Sequence, residues 1–190
     1  MKGLWVLLCV LSLGGCAYID QNLRVEPQLT VLQSNVGNGK KVALRVVDDR
    51  EKQLIGKRAD GYGFAAAKIS TEQDLAALLK NSFMEGMHKK GFEPVGDNDS
   101  NILLKVTLRS LSYDASRGLW TAGNIGEATV RIMASQVSGK TFEKTYRSQK
   151  EIRTAFIGSQ ETNAKVVNGA LNDVLDKIFA DEELWRFLAQ

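Results

Sequence analysis

The first sixteen residues limit how much of this chain can fold into a domain. An apolar run of about ten residues follows Lys2 and ends at residues 13–16, Leu-Gly-Gly-Cys. The run has the length of a signal peptide and is well short of the roughly 20 apolar residues that a membrane-spanning helix needs. We therefore predict a signal peptide over residues 1–15, whose removal leaves Cys16 as the first residue of the mature chain.

The tetrapeptide resembles the bacterial lipobox, in which small residues before the cysteine allow the signal peptidase to cut. Cys16 would then carry a thioether-linked diacylglycerol and an N-acyl chain such as palmitate, which together hold a protein durably to a bilayer. Ala17 follows the cysteine, whereas lipoproteins kept at the inner membrane of Gram-negative cells usually have aspartate there. The sequence thus predicts a lipid-anchored outer-membrane protein with its domain in the periplasm.

Composition restricts the mature chain further. About 175 residues remain after the leader, a length typical of one domain. The only cysteines are Cys9, which leaves with the leader, and Cys16, so we expect stability to come from packing without a disulfide. The net charge is +3, from 25 Lys and Arg against 22 Asp and Glu. This excess is too small to indicate nucleic-acid binding.

The segment after the lipidation site differs from the rest of the chain. Residues 16–39 contain Pro27 and a turn-forming Asn/Gly cluster, and show no sustained hydrophobic period. We predict that they form the lipidated N-terminus and a tether, with an edge strand near Leu29 as an alternative. Residues 40–190 are predicted to form a single periplasmic domain.

Hydrophobic periodicity predicts the elements of this domain. Alternation indicates strands near 42–47, 102–108, 128–134 and 141–153, and helical spacing indicates helices over about 71–90 and after Ser159. Ser70 is the predicted cap of the first helix, and Asp181 of a short terminal one. Residues 50–69 and 113–124 are predicted connections. The expected fold is an α/β (α+β) two-layer sandwich, with a four-stranded mixed sheet in β-α-β-β-β-α order and both helices on one face.

Several segments spread along the chain resemble the YajG-like family of bacterial outer-membrane lipoproteins. The resemblance rests on the lipobox and on three further segments: Asp48-Asp49-Arg50, residues 78–92 and residues 145–156. It covers nearly the whole mature chain. It implies a lipid-anchored, periplasm-facing domain and carries over no catalytic or ligand residues.

The motifs of common enzymes and metal sites are not found in this sequence. The Gly-rich stretch at 56–63 lacks the Lys-Ser/Thr pair of a phosphate-binding loop. His88 is the only histidine, which excludes a multi-histidine zinc site, and no nucleophile elbow accompanies it. Asp48 and Asp49 are interpreted as a solvated strand end, with Asp48 paired to Arg50. We therefore predict no cofactor, no metal and no enzymatic activity.

Two alternatives to a binding or scaffolding protein remain open. One is an envelope enzyme or lipid-handling protein with its site in the loop at 50–69. The other is a structural subunit that assembles through its sheet edge. A smaller question concerns Trp120, which with Arg117 could form a binding hot spot, although burial against a sheet end is favoured.

Strand parity predicts a positively charged face on the side of the sheet that the helices leave uncovered. If Leu44, Leu104 and Ile132 point to the helices, their neighbours must point the other way. This face could bind an anionic partner, such as an acidic envelope protein, peptidoglycan or lipopolysaccharide, or could be ordinary solvated sheet partly neutralised by Glu143 and Glu151. The predicted binding residues are Arg45, Lys105, Arg109, Arg131 and Arg147.

Overall fold

A computed structural model describes residues 19–51, 53–59, 65–97, 99–117, 122–155 and 158–190. Within these residues the chain forms one eight-stranded sheet and three helices. No helix among them is both long and apolar enough to span a membrane. In chain order the elements are β1 (Gln21–Asn22), β2 (Lys41–Asp48), β3 (Gly56–Ala59), β4 (Ala65–Ser70), α1 (Leu75–Lys89), β5 (Glu93–Val95), β6 (Ile102–Arg117), β7 (Ala122–Gln136), β8 (Thr141–Thr154), α2 (Gln160–Ala180) and α3 (Glu182–Ala189).

Three long antiparallel strands, β6, β7 and β8, form the body of the sheet. The other edge of β6 is shared by two strands. Its first half pairs in parallel with β2, from Leu103 to Leu108, and its second half meets β3 at Tyr113. A bulge between Leu108 and Ser110 lies where the partner changes. The sheet therefore forks, with β2 and β5 on one branch and β3, β4 and β1 on the other.

Both long helices cover the same face of the sheet. The apolar side of α2 packs on β7 and β8, and α1 packs on β2 and β5. The helices meet where a Cβ on Gly86 would overlap the ring of Phe179, and Phe83 packs against the same ring at 5.2 Å between centroids. A two-layer α/β sandwich with its helices on one side is therefore observed, as predicted.

The predicted strand count and connections need correction. The described ranges hold eight strands instead of the predicted four. β1, β3 and β5 are too short to show alternation, and the predicted loop at 50–69 contains the β3–β4 hairpin, whose second strand starts with three alanines. The predicted connection at 113–124 is mostly strand, since β6 continues to Arg117 and β7 begins at Ala122. Hydrophobic alternation is lost there because Gly126 lies against the backbone of α2 and Asn124 points into the core.

Helix boundaries follow the capping residues. Ser159 caps α2 and Asp181 caps α3, as the sequence predicts. The first helix begins later than predicted, because Ser70 belongs to β4 and Asp74 is the cap, accepting a hydrogen bond from the Ala77 amide at 3.0 Å. The parallel β2–β6 pair and the antiparallel β7–β8 hairpin are confirmed.

The predicted tether is largely part of the domain. Leu23 and Val25 are buried in the core, and β1 pairs in parallel with β4. Residues 23–34, which we call the strap, then run as an extended segment between α1 and α2. The predicted edge strand near Leu29 does not form, because this backbone bonds to helix side chains instead of another strand.

A row of three side chains on α2 holds the strap. The amides of Glu26, Gln28 and Thr30 donate to Asn168 Oδ1, Asn172 Oδ1 and Asp176 Oδ1 at 2.9, 2.8 and 3.1 Å. Two residues of extended chain rise about 6.6 Å and four residues of helix about 6.0 Å, so alternate amides match every fourth helix residue. The spacing of the polar residues on α2 thus sets the path of the strap.

We expect the Asn168→Ala/Asn172→Ala double variant to loosen the strap without unfolding the domain. Each hydrogen bond lost is worth about 0.5–1.5 kcal/mol, and opening equilibria change tenfold per about 1.4 kcal/mol. Trypsin cleavage after the exposed Arg24 should therefore accelerate about tenfold. Gln149→Ala, an exposed change on β8, is the matched control. Cleavage of the double variant at the control rate would show that the ladder does not hold the strap.

Candidate binding face

The uncovered side of the sheet carries the five predicted cations, and we call it the basic face. Leu44, Leu104 and Ile132 are buried beneath the helices, so their strand neighbours project from the opposite side. Arg45 lies opposite Lys105, which lies opposite Met133 on β7. The structure thus brings the predicted side chains onto one surface. Its members are Arg45, Lys105, Arg109, Arg131 and Arg147.

Three of these cations are ion-paired within the domain. Arg45 pairs with Asp97, and its Nε donates to the carboxylate at 3.0 Å. Arg109 pairs with Asp49. The third, Arg131, donates to Glu143 Oε1 from Nε at 2.9 Å and lies 2.7 Å from it through Nη2.

These pairs neutralise much of the predicted charge. Glu143 was identified from the sequence, but Glu151 pairs with Arg153 instead. Asp97 and Asp49 were missed as partners. Asp97 follows β5, a strand too short to predict. Asp49 lies beside Arg109 because the parallel register of β2 with β6, in which Asp48 lies opposite Leu108, continues by one residue.

Lys105 and Arg147 are the members of the basic face without an ion-pair partner among the described residues. Arg147 lies opposite Thr129 on β7, and its side chain projects away from the core because its neighbour Tyr146 is buried. Strand parity places Arg147 on the basic face only if Phe142 and Tyr146 point inward. Phe142 packs against Phe187 and Tyr146 reaches α3, so both do. These two cations are therefore the ones most available to an external anion.

An open cavity of about 480 Å³ lies at the fork in the sheet. Half of the residues that line it belong to the 50–69 segment considered as an enzyme site. Arg50 lines it, with a side chain that is only 6% exposed and forms a two-pronged ion pair with Asp48 at 2.7 and 2.8 Å. This confirms the predicted Asp48–Arg50 pair. The Arg109–Asp49 pair lies on the same wall. The charges that line the cavity are thus largely engaged with one another.

The groups with shifted pKa values stabilise packing away from the basic face. Asp181 caps α3 and also accepts hydrogen bonds from Lys144 and Tyr146 at 2.6 Å each. Burial alone would raise the pKa of Asp181, but the bonds from Lys144, Tyr146 and the Leu184 amide outweigh it and lower that pKa. Burial, followed by the bond to Asp181, raises the pKa of Tyr146. This cluster ties α3 to β8.

A second polar cluster is buried near the end of β6. Tyr113 donates to Asn124 Oδ1 at 2.9 Å, and the Gly158 amide donates to the same oxygen at 3.1 Å. Burial is the main cause that raises the pKa of Tyr113 to about 12. Asn163, nearby on α2, donates to Gln21 at 2.8 Å and so binds β1 to the helix layer. These groups join chain segments and open onto no described cavity.

The remaining predicted residues take no part in a described site. Cys16, Trp120 and the side chain of Arg117 lie outside what the structure describes. His88 is exposed on α1, and no three potential metal-ligating residues cluster within the described ranges.

Known proteins resemble this chain in sequence and in fold. A family model described as uncharacterized lipoprotein matches residues 27–189. The chain is 26% identical over 190 residues to the uncharacterized lipoprotein YajG of Escherichia coli K12, covering all of this chain and 97% of that protein. A crystal structure of a DUF330-family protein from Xanthomonas campestris superposes with a TM-score of 0.50 at 13% identity, covering 88% of this chain and 94% of the other. That likeness shows the fold.

We expect Asp181→Ala to lower the free energy of unfolding by about 0.5–2 kcal/mol at neutral pH, because it removes the cap of α3. The pKa of Asp181 is lowered in the folded state, so its charge stabilises the fold above its ordinary pKa of 3.8. That contribution is lost as the pH falls through the lower folded pKa. The deficit of the variant should therefore be constant above pH 3.8 and shrink in more acidic solution.

Chemical denaturation across this pH range measures the effect. Asp97→Asn, which alters a surface ion pair, is the control for removing any exposed carboxylate. A deficit that stays unchanged into strong acid would show that the charge of Asp181 does not stabilise the fold.

Proposed function

Because this chain belongs to a family of uncharacterized lipoproteins similar to YajG, we propose that it is a lipid-anchored outer-membrane protein whose periplasmic domain binds or scaffolds an anionic envelope component. Acylated Cys16 would provide the anchor, and the basic face would provide the binding surface. The observation that carries the binding role is the uncovered sheet face with its two unpaired cations, Lys105 and Arg147.

The anchor is supported by sequence and by family. Leu-Gly-Gly-Cys ends an apolar leader, and Ala17 follows the cysteine in place of the aspartate typical of inner-membrane retention. Two or more acyl chains on Cys16 give attachment that a single chain does not. The outer membrane is therefore the proposed location.

The binding role is supported by the chemistry of the basic face. Guanidinium and ammonium groups recognise carboxylates and phosphates, and a flat sheet can lie against an extended polymer. Peptidoglycan, whose peptides carry carboxylates, is the anionic component that we propose first. The ion pairs of Arg45, Arg109 and Arg131 hold those side chains in place around the two unpaired cations.

The positions of the groups with shifted pKa values, and of the charges that line the cavity, favour a binding role over catalysis. Tyr113, Tyr146 and Asp181, whose pKa values shift, belong to packing contacts. Of the charged residues that line the cavity at the fork, Asp49, Arg50 and Arg109 are held in ion pairs. Catalytic groups with shifted pKa values are instead expected to converge in a cleft.

Assembly through the sheet edge has less support. The edge strand β8 carries Lys144, Arg147, Lys150 and Arg153, and charged side chains on an edge, lysine above all, oppose edge-to-edge pairing.

We expect Cys16→Ser to release the protein from the outer membrane, because the hydroxyl cannot replace the thiol that receives the diacylglycerol. Fractionation of cells expressing both forms at equal level measures the outcome. Wild type should pellet with outer membranes and need detergent for release, whereas the variant should be recovered in soluble fractions. Retention of the variant in that membrane, resistant to salt, would contradict the anchor.

We expect Lys105→Gln/Arg147→Gln to weaken co-sedimentation of the unlipidated domain with purified peptidoglycan sacculi. Arg147 is exposed and Lys105 is half-buried, and neither is ion-paired among the described residues, so we expect only a small change in thermal stability. The matched control is Arg45→Gln/Arg131→Gln, which removes the same charge from ion-paired positions. Wild-type binding should fall as salt rises, and the Lys105/Arg147 variant should lose most of it. Equal binding by wild type and that variant at low salt would contradict the assignment.

A further inference from the structure

The strap and β1 leave few residues between the lipid and the folded domain. β1 begins at Gln21 and is fixed by pairing with β4 and by the bond from Asn163. A chain extends at most about 3.6 Å per residue, so the Cα of Cys16 lies within about 18 Å of Gln21. A lipid on Cys16 therefore holds a defined part of the domain at the bilayer surface.

The direction in which the chain leaves β1 identifies that part. β1 runs parallel to β4 with Gln21 opposite Ile69, and Asp20 accepts a hydrogen bond from the Lys68 amide at 2.7 Å. The chain therefore enters β1 from the end of the sheet at which β4 begins. Because β3 runs parallel to β6 and antiparallel to β4, the ends of β3 and β6 and the starts of β4 and β7 lie at this same end of the sheet. We call this the anchor end; its described boundary residues are Ala59, Ala65, Arg117 and Ala122.

We propose that the anchor end rests on lipid headgroups and that the sheet stands away from the bilayer. This proposal rests on the lipid attachment proposed for Cys16. Ile19, the first described residue, is apolar and 62% exposed, which suits a position at the bilayer interface. At about 3.3 Å per residue, β7 spans about 50 Å, so the turn at Ser138 and Gly139 lies far from the membrane.

The upright arrangement also separates the basic face from the headgroups. Thr129, opposite Arg147, lies about 23 Å along β7 from Ala122, and Met133, opposite Lys105, lies about 36 Å along it. Both distances exceed the Debye length of about 8 Å at physiological salt. The two unpaired cations are thus presented to the periplasm instead of to the membrane that holds the anchor.

Fluorescence quenching by labelled lipids tests this orientation. The mature chain has no cysteine other than acylated Cys16, so single thiols can be introduced at exposed positions. Ala155→Cys places a probe near the anchor end, Ser138→Cys at the opposite end, and Thr145→Cys on the uncovered face. The lipidated protein is reconstituted in vesicles of phosphatidylethanolamine and phosphatidylglycerol that contain a lipid with a spin-labelled headgroup.

Quenching of the Ala155 probe should be several-fold stronger than that of the other two. Strong quenching at Thr145 would overturn the proposal, because it would place the sheet face-down on the lipid. Equal quenching at all three sites would overturn it as well, since the domain would then have no fixed orientation. Failure of the wild-type protein to float with the vesicles would instead reject the lipid anchor itself, and flotation separates that failure from a wrong orientation.

Discussion

The packing of α2 on the long strands is the interaction on which the rest of this structure depends. Its apolar side is buried against β7 and β8, and Gly126 allows the two backbones to approach closely. Phe179 near its end contacts α1, and its capped boundary at Asp181 leads into α3. Its polar side, through Asn168, Asn172 and Asp176, holds the strap. One helix therefore organises the core, the second helix and the N-terminal segment.

The sequence predicted the elements whose side chains are partitioned between core and solvent. β2, the first half of β6 and the second half of β7 alternate, and the stripe of α2 is continuous, so periodicity predicted them. β8 was predicted from the turn that precedes it. The strap escaped prediction because its partners are side chains 142 to 146 residues away. The end of β6 escaped because polar and small residues there satisfy a buried network and a close helix approach. In both cases the decisive partner is remote in the chain, which local patterns do not reveal.

The basic face shows the same limit for the candidate site. Strand parity placed five cations on one side of the sheet. The face to which a strand residue points follows from how many positions separate it from a core residue of the same strand. Their ion-pair partners depend on which strands are neighbours, and that was only partly predicted. Asp49 lies beside Arg109 because the parallel β2–β6 register continues past Asp48 and Leu108, whereas Asp97 follows β5, a strand that local patterns did not reveal. Exposed pairs of this kind add at most about 1 kcal/mol each to stability, but they remove charge from recognition. Strand parity predicted five equivalent cations. Among the described residues three of them are ion-paired, and Lys105 and Arg147 are not.

The fixed path of the N-terminal segment bears on how the proposed lipid anchor and the proposed binding face are arranged. A flexible tether of about 24 residues would give an r.m.s. end-to-end reach of about 25–30 Å, and the domain could present any face to any neighbour. Because β1 is paired to β4, only about five residues would separate a lipid on Cys16 from the sheet. The contacts that fix the chain at β1 would then control orientation: the pairing with β4, the bond from the Lys68 amide to Asp20 and the bond from Asn163 to Gln21. The polar row on α2 holds the segment that follows β1, and so keeps the chain on the domain beyond that point.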